Sequence, residues 1–313
     1  MQLWILLLLS FGSMLLFTLL SSQLAQVFFG LDLLNDPNAL THLEDPNAVS
    51  AHRFLLIIQH IGVFILPALT FNQLFTFRDL GSFLHLDQQR VGLLPSAVAL
   101  IAVLSAYPMV NLLYEWVSQI NFTSLGETGK VLVAEENRLQ RFTDGLLVMH
   151  SAADLWMNLF VFAFIPAVGE ELMFRGVLQK ILARVSASAH VGVWLSALIF
   201  SALHFQAFGF VSRLLLGAGF GYLLLATGSI RLVMAAHFAN NALAVGLSFA
   251  DQRGWLATAS QGDIQWSQWP VLQVASATVV GALAIYIGKH STFAKRRQAY
   301  LFVPSYTQSE PDE

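Results

Sequence analysis

VFAFIPAVGEELMFRGVLQ, residues 161–179, places Glu170, Glu171 and Arg175 in the middle of a predominantly apolar stretch, Phe160 to Leu182. A helix of that length and apolarity crosses a bilayer, where each ionisable group costs at least about 2.5–3.5 kcal/mol. Groups that expensive either clasp helices together or carry function. Helical positions four apart share a face, so Glu171 is expected to pair with Arg175 as a structural clasp. Glu170 points about 100° away and has no cation at helical spacing. It is the residue left for chemistry.

The rest of the chain supports the membrane reading. Of 313 residues, 56% are hydrophobic and 11% charged, where soluble domains carry about 25% charged. Mean hydropathy is +0.63. The net charge of −3 and the lack of a basic run argue against nucleic-acid binding. Cysteine is absent, which excludes disulfides, thiolate metal sites and thiol catalysis. The N-terminus, MQLWILLLLSFGSMLLFTLL, has no charged n-region and reads as a first span instead of a cleaved signal peptide.

Eight segments suit a crossing: 3–28, 53–75, 92–114, 155–176, 191–207, 210–226, 230–249 and 268–288. The expected fold is therefore all-α, a polytopic membrane helix bundle of about eight transmembrane helices, 1–313 forming a single membrane domain. The fifth and sixth segments form a tight hairpin around Gly209, and Gly217 and Gly221 allow a neighbouring helix to approach closely. Apart from the short duplication DPNA (36–39 and 45–48), there is no internal repeat. Residues 131–150 mix apolar and charged positions at helical spacing and read as an interfacial helix on the outer face.

Basic residues favour the cytoplasmic side. With both termini inside, the inner segments hold Arg78, Arg90, Arg175, Lys180, Arg184, Arg231, Lys289, Lys295, Arg296 and Arg297. The outer segments hold the other six Lys and Arg and most of the acids. The expectation is a multi-pass integral membrane protein with a cytoplasmic C-terminus, 289–313 being a polar cytoplasmic tail.

Three more polar residues fall in apolar runs: His204 in LIFSALHF, and His237 and Asn241 in RLVMAAHFANNALAV. The spacing of four stacks His237 and Asn241 on one face. A lone His in a span is an ordinary hydrogen-bonded packing residue, and His60 is read that way. Glu, two His and an Asn on three spans form a constellation. Such a set suits hydrolysis: a carboxylate takes a proton from water with an imidazole beside it, while a second His and an amide meet the oxyanion. The same Glu170, His204 and His237 could hold a divalent metal, zinc being suited to those ligand types. Spacing does not choose between these. HExxH is absent, and no serine, Ser201 included, sits in a recognisable nucleophile motif.

EExxxR (Glu170, Glu171, Arg175) followed by Gly176, then FxxxH (Phe200, His204), then HxxxN (His237, Asn241), resembles the CAAX-protease and bacteriocin-processing (CPBP, or Abi) family of intramembrane proteases. That family includes the type II CAAX prenyl endopeptidases. TGSIRLVMAAH, residues 227–237, resembles the lead-in to the family's last motif. The similarity covers 155–250, the expected catalytic core. It implies that Glu170 and His204 activate water, that His237 and Asn241 form the oxyanion site, and that Glu171 and Arg175 support them. It leaves a zinc-dependent and a glutamate-type mechanism both open.

The sequence thus points to an intramembrane endopeptidase acting on a peptide or membrane-protein substrate within the lipid bilayer. Two other classes share part of this pattern. A proton-coupled transporter also uses buried Glu and His, but the paired broken helices and inverted repeats of such folds are missing. A catalytically silent immunity or partner-binding protein is disfavoured by the intact motif set.

Overall fold

A computed structural model gives the architecture, and it describes residues 1–33, 35–36, 43–75, 91–256 and 266–290. The described residues form a helical bundle without strands. In chain order the helices are α1 (Gln2–Phe29), α2 (Pro46–Phe75), α3 (Leu93–Ser118), α4 (Glu127–Leu146), α5 (Ala152–Val185), α6 (Ala189–Ala202), α7 (Phe210–Thr227), α8 (Ile230–Gln252) and α9 (Pro270–His290). Six of them, α1, α2, α3, α5, α7 and α8, are long and apolar enough to cross a membrane. α6 and α9 coincide with the other two expected segments, α6 being a shorter apolar helix.

Local chemistry sets the helix ends. Asp45 accepts a hydrogen bond from the Asn47 amide and Pro46 opens α2, so the second DPNA copy is a helix start. Residues 37–39 of the first copy lie outside the described residues. Ser151 and Asp154 form a reciprocal capping box on α5, and Ser188 and Ser229 cap α6 and α8. α7 stops at Gly228, whose φ of 68° a glycine adopts without a Cβ clash, and Ser229 restarts the chain at once.

The bundle exposes apolar side chains outward as well as burying them inward. Only 6% of the apolar window of α1, and of α3, is buried, against 44% for α7. Leu8, Phe11 and Leu16 of α1 are well exposed, as lipid-facing residues are. The best-buried cluster joins α5 to α6, α7 and α8 through Phe174, Val177, Phe200, Phe220, Leu224 and Val233. α3 packs against α7, α8 and α9, and α1 packs along α2.

Several boundaries differ from the hydropathy reading. α5 runs to Val185 instead of 176, because Gln179 and Lys180 depress hydropathy yet are buried against protein. α4 starts four residues before 131, after a 3-10 turn (Phe122–Leu125) and Gly126 at φ 72°. Its Glu127–Lys130 and Glu135–Arg138 pairs face solvent, and its Leu146 is buried. The expected tail of 289–313 lies, beyond His290, outside the described residues, as do 76–90 and 257–265.

Candidate active site

α5 is an α-helix interrupted twice by π turns, at Leu159–Phe164 and Leu172–Leu178, and Glu170 and Glu171 lie in the α segment between them. Pro166 has no N–H, so the Phe162 carbonyl lacks its ordinary helical donor. Asn241 Nδ2 takes that place at 3.2 Å, tying α8 to α5. π turns of this kind are frequent at functional sites.

The expected clasp is present. Arg175 Nη1 donates to Glu171 Oε1 at 2.9 Å, and both side chains are buried. Arg175 Nη2 also donates to the Gly217 carbonyl at 2.8 Å, which requires α7 to come close. A Cβ on Gly217 would stand 3.3 Å from that same nitrogen. The guanidinium lies between two rings, its carbon 4.9 Å from the centre of Phe200 and 5.5 Å from that of Phe220. Glu171 Oε1 in addition meets His237 Nδ1 at 2.7 Å. One clasp thereby orients a second residue.

The structure brings Glu170, His204, His237 and Asn241 together around one cavity of about 320 Å³. His237 Nε2 stands 3.8 Å from Glu170 Oε2, outside direct hydrogen-bond range but within reach of a bridging water. The His237 ring stacks on Phe220, centres 5.0 Å apart. His204 is a correction to the sequence reading. It lies just beyond α6, not inside a span ending at 207. The last carbonyls of a helix lack backbone donors, and His204 Nδ1 turns back onto the Phe200 carbonyl at 2.8 Å. Phe205 follows at φ 54° and redirects the chain. The ring is thus set at the cavity wall by a helix end.

Three imidazoles here share a pattern. Nδ1 of His60, His204 and His237 faces, respectively, the Leu56 carbonyl, the Phe200 carbonyl and the Glu171 carboxylate. Such oxygens only accept, so Nδ1 carries the hydrogen and Nε2 is left for other contacts. The Glu171 contact supplies a carboxylate partner for an imidazole, a feature common around metal-bound histidines. Yet among the described residues no three His, Asp or Glu side chains stand close enough to share an ion. As arranged, Glu170, His204 and His237 do not form a three-ligand metal site.

Sequence reasoning missed four neighbours. His60, read as packing, has Nε2 3.6 Å from Glu170 Oε1. Asn240 lines the cavity and donates to Asn241 Oδ1 at 3.1 Å. Arg213 also lines the cavity, held by Gln206 through its side-chain and backbone oxygens. Glu136 of α4, buried, accepts from the Phe208 amide at 3.1 Å and lies 3.5 Å from the Tyr114 hydroxyl. The cavity therefore runs from Glu170 at mid-span to Tyr114 and Gly209, at the end of the bundle where α4 docks. The polar character of Asn240 and Arg213 in apolar runs was legible. The partners of His60 and Glu136 were not, because they are distant in sequence.

Comparison with known proteins agrees with the motifs. Residues 152–243, from α5 into α8, match the family model of the type II CAAX prenyl endopeptidase Rce1-like proteins. No curated protein and no solved structure matches the chain. The match covers less than a third of the chain, and within it the chain is similar to type II CAAX prenyl endopeptidase Rce1-like proteins.

Proposed function

We propose that this multi-pass membrane protein, whose segment 152–243 carries the CAAX-protease family pattern, cleaves peptide bonds by Glu170 and His204 acting on water inside the bundle. The observation that carries the reading is the buried Glu170 carboxylate opening on a polar cavity that His204, His237 and Asn241 also line. A 7% exposed carboxylate between imidazoles is placed to take a proton from water. The resulting hydroxyl adds to the substrate carbonyl carbon, and the carbonyl oxygen takes the negative charge. The Asn241 amide, with one hydrogen on Phe162, has its second for that oxygen, and His237 donates from Nε2 when doubly protonated. Glu170 then returns the proton to the departing amine as the C–N bond breaks, leaving one carboxylate and one amine product. His204, its Nδ1 fixed on Phe200, orients the water from Nε2.

Glu171 and Arg175 act indirectly, by fixing the His237 ring and the approach of α7. No step in this scheme passes through an ion. The divalent metal suggested by the ligand types is tested by elemental analysis of the active purified protein, with activity followed through chelation and metal restoration. Full activity with well under one equivalent of any transition metal supports the scheme, and activity that tracks a stoichiometric metal overturns it. The substrate class is a peptide or membrane protein reached from within the bilayer. Mass spectrometry of peptides from membranes with and without the protein tests this. Defined cleavage products that appear only with active protein support it, and identical peptide sets contradict it.

A further inference from the structure

We propose that His60 is a positioning residue for Glu170, an assignment that rests on reading Glu170 as the water-activating carboxylate. His60 belongs to α2, outside the 152–243 segment that carries the family pattern. Its Nε2 stands 3.6 Å from Glu170 Oε1, while His237 Nε2 stands 3.8 Å from Oε2. Each oxygen of the carboxylate thus faces one imidazole, and the two rings come from different helices.

This geometry has a mechanical consequence. The last torsion of a glutamate is broad and nearly free, so burial alone does not fix where its oxygens point. With Nδ1 of each ring already donating, Nε2 holds a carboxylate oxygen by carrying a second hydrogen or through a bridging water, and two rings so placed on opposite oxygens remove that freedom. The His60 ring is itself fixed, with Nδ1 on the Leu56 carbonyl at 2.9 Å and its face against Phe64, centres 5.4 Å apart. His60 is absent from the cavity lining, so it backs the carboxylate from behind and leaves the cavity side to His204 and His237.

The backbone around His60 is shaped to make the reach possible. A π turn, Ile61–Ile65, begins at the next residue. Gly169, beside Glu170, lets this part of α2 come close: a Cβ there would stand 3.3 Å from Phe64 Cβ and Ile65 Cγ1 and 3.8 Å from the His60 carbonyl. On the other side, Gly62 is packed under Phe17 of α1, where a Cβ would fall 2.3 Å from the ring. Ser13 of α1 donates to the Gly62 carbonyl. The turn that carries His60 is therefore held between α1 and α5.

A purely structural ion pair makes a different forecast, since it would affect folding and leave turnover alone. The test compares His60→Leu, which removes the nitrogen, with His60→Gln, which keeps an N–H donor of similar reach. Both are assayed purified in detergent on a fluorogenic peptide spanning a cleavage site found by the membrane-peptide comparison above, beside the unsubstituted protein and Glu170→Gln. Misplacing a catalytic group by about an ångström costs up to about 100-fold in rate. We expect kcat of His60→Leu to fall about 10- to 100-fold with KM held within about twofold, and His60→Gln to recover part of the loss. Turnover of folded His60→Leu within about twofold of the unsubstituted protein overturns the assignment. Should His60→Leu not fold, His60→Gln decides: a kcat loss at constant KM supports positioning, and an unchanged kcat overturns it. Failure of the unsubstituted protein to cut, or undiminished cutting by Glu170→Gln, overturns the protease reading and this assignment with it. Correct controls with an unaffected His60→Leu overturn this assignment alone.

Discussion

Glu170 and Glu171 are adjacent in sequence and sit in opposite surroundings. Glu171 is fully buried and bound to Arg175 and His237, whereas Glu170 faces two imidazoles at longer range and a cavity. Removing one member of a buried ion pair typically costs ~3–5 kcal/mol, because the other charge is left uncompensated. Glu171→Ala and Arg175→Ala are therefore expected to lower the melting temperature in detergent well below that of Glu170→Ala. Equal melting temperatures for the three variants would remove the clasp. At this scale the sequence was informative where partners are close along the chain. The spacing of four between Glu171 and Arg175 forecast their bond, and that between His237 and Asn241 placed both on one cavity. It was silent on the His237–Glu171 contact and on His60, since a span read alone shows that a residue is polar but not what it meets.

At the scale of the element, glycines decide how closely helices pack. A Cβ on Gly192 would fall 2.7 Å from both the Gln179 carbonyl and Ala183 Cβ, so α6 sits directly on the end of α5. Gly219 on the exposed side of α7 has nothing within 4 Å. Gly192→Ala is expected to destabilise by ~1–3 kcal/mol through overpacking. Gly219→Ala is expected to be neutral or to stabilise by up to ~1 kcal/mol through helix propensity. Thermal unfolding of the two variants checks this, and a Gly192→Ala protein as stable as Gly219→Ala would contradict the packing. The order of the apolar elements was legible from hydropathy, six of the eight expected segments being helices long and apolar enough to cross. The ends of α5 and α6 were not, because hydropathy scores residues as though all met lipid. Gln179 and Lys180 meet protein, and Leu203 and Phe205 are apolar yet lie past a helix end.

At the scale of the molecule, the cavity lining extends to Tyr114 and Gly209, beside the contact of Glu136 of α4 with the Phe208 amide. We propose from the Lys/Arg distribution that this end of the bundle is outside and the α5–α6 connection inside. Single cysteines at Ser124, before α4, and at Ser186, after α5, are both exposed positions in a chain without cysteine. An impermeant thiol reagent on intact cells is expected to label Ser124→Cys and to spare Ser186→Cys. The reverse pattern would invert the orientation and turn the cavity to the cytoplasm, which would change where its substrate comes from. The division into a catalytic core at 155–250 and a cytoplasmic tail at 289–313 is a proposal of the same kind. α2 and α3 already contribute to the site from outside that core, through His60 and Tyr114.

Hydrolysis in this site turns on the Glu170 carboxylate activating water. Replacing it by its neutral amide isostere, Glu170→Gln, keeps the volume and removes the base. The measurement is turnover of a fluorogenic peptide by purified Glu170→Gln, its fold verified by thermal melting, beside the unsubstituted protein. The account predicts a folded protein with cleavage reduced to background. A folded Glu170→Gln variant that turns over at near the normal rate would contradict it.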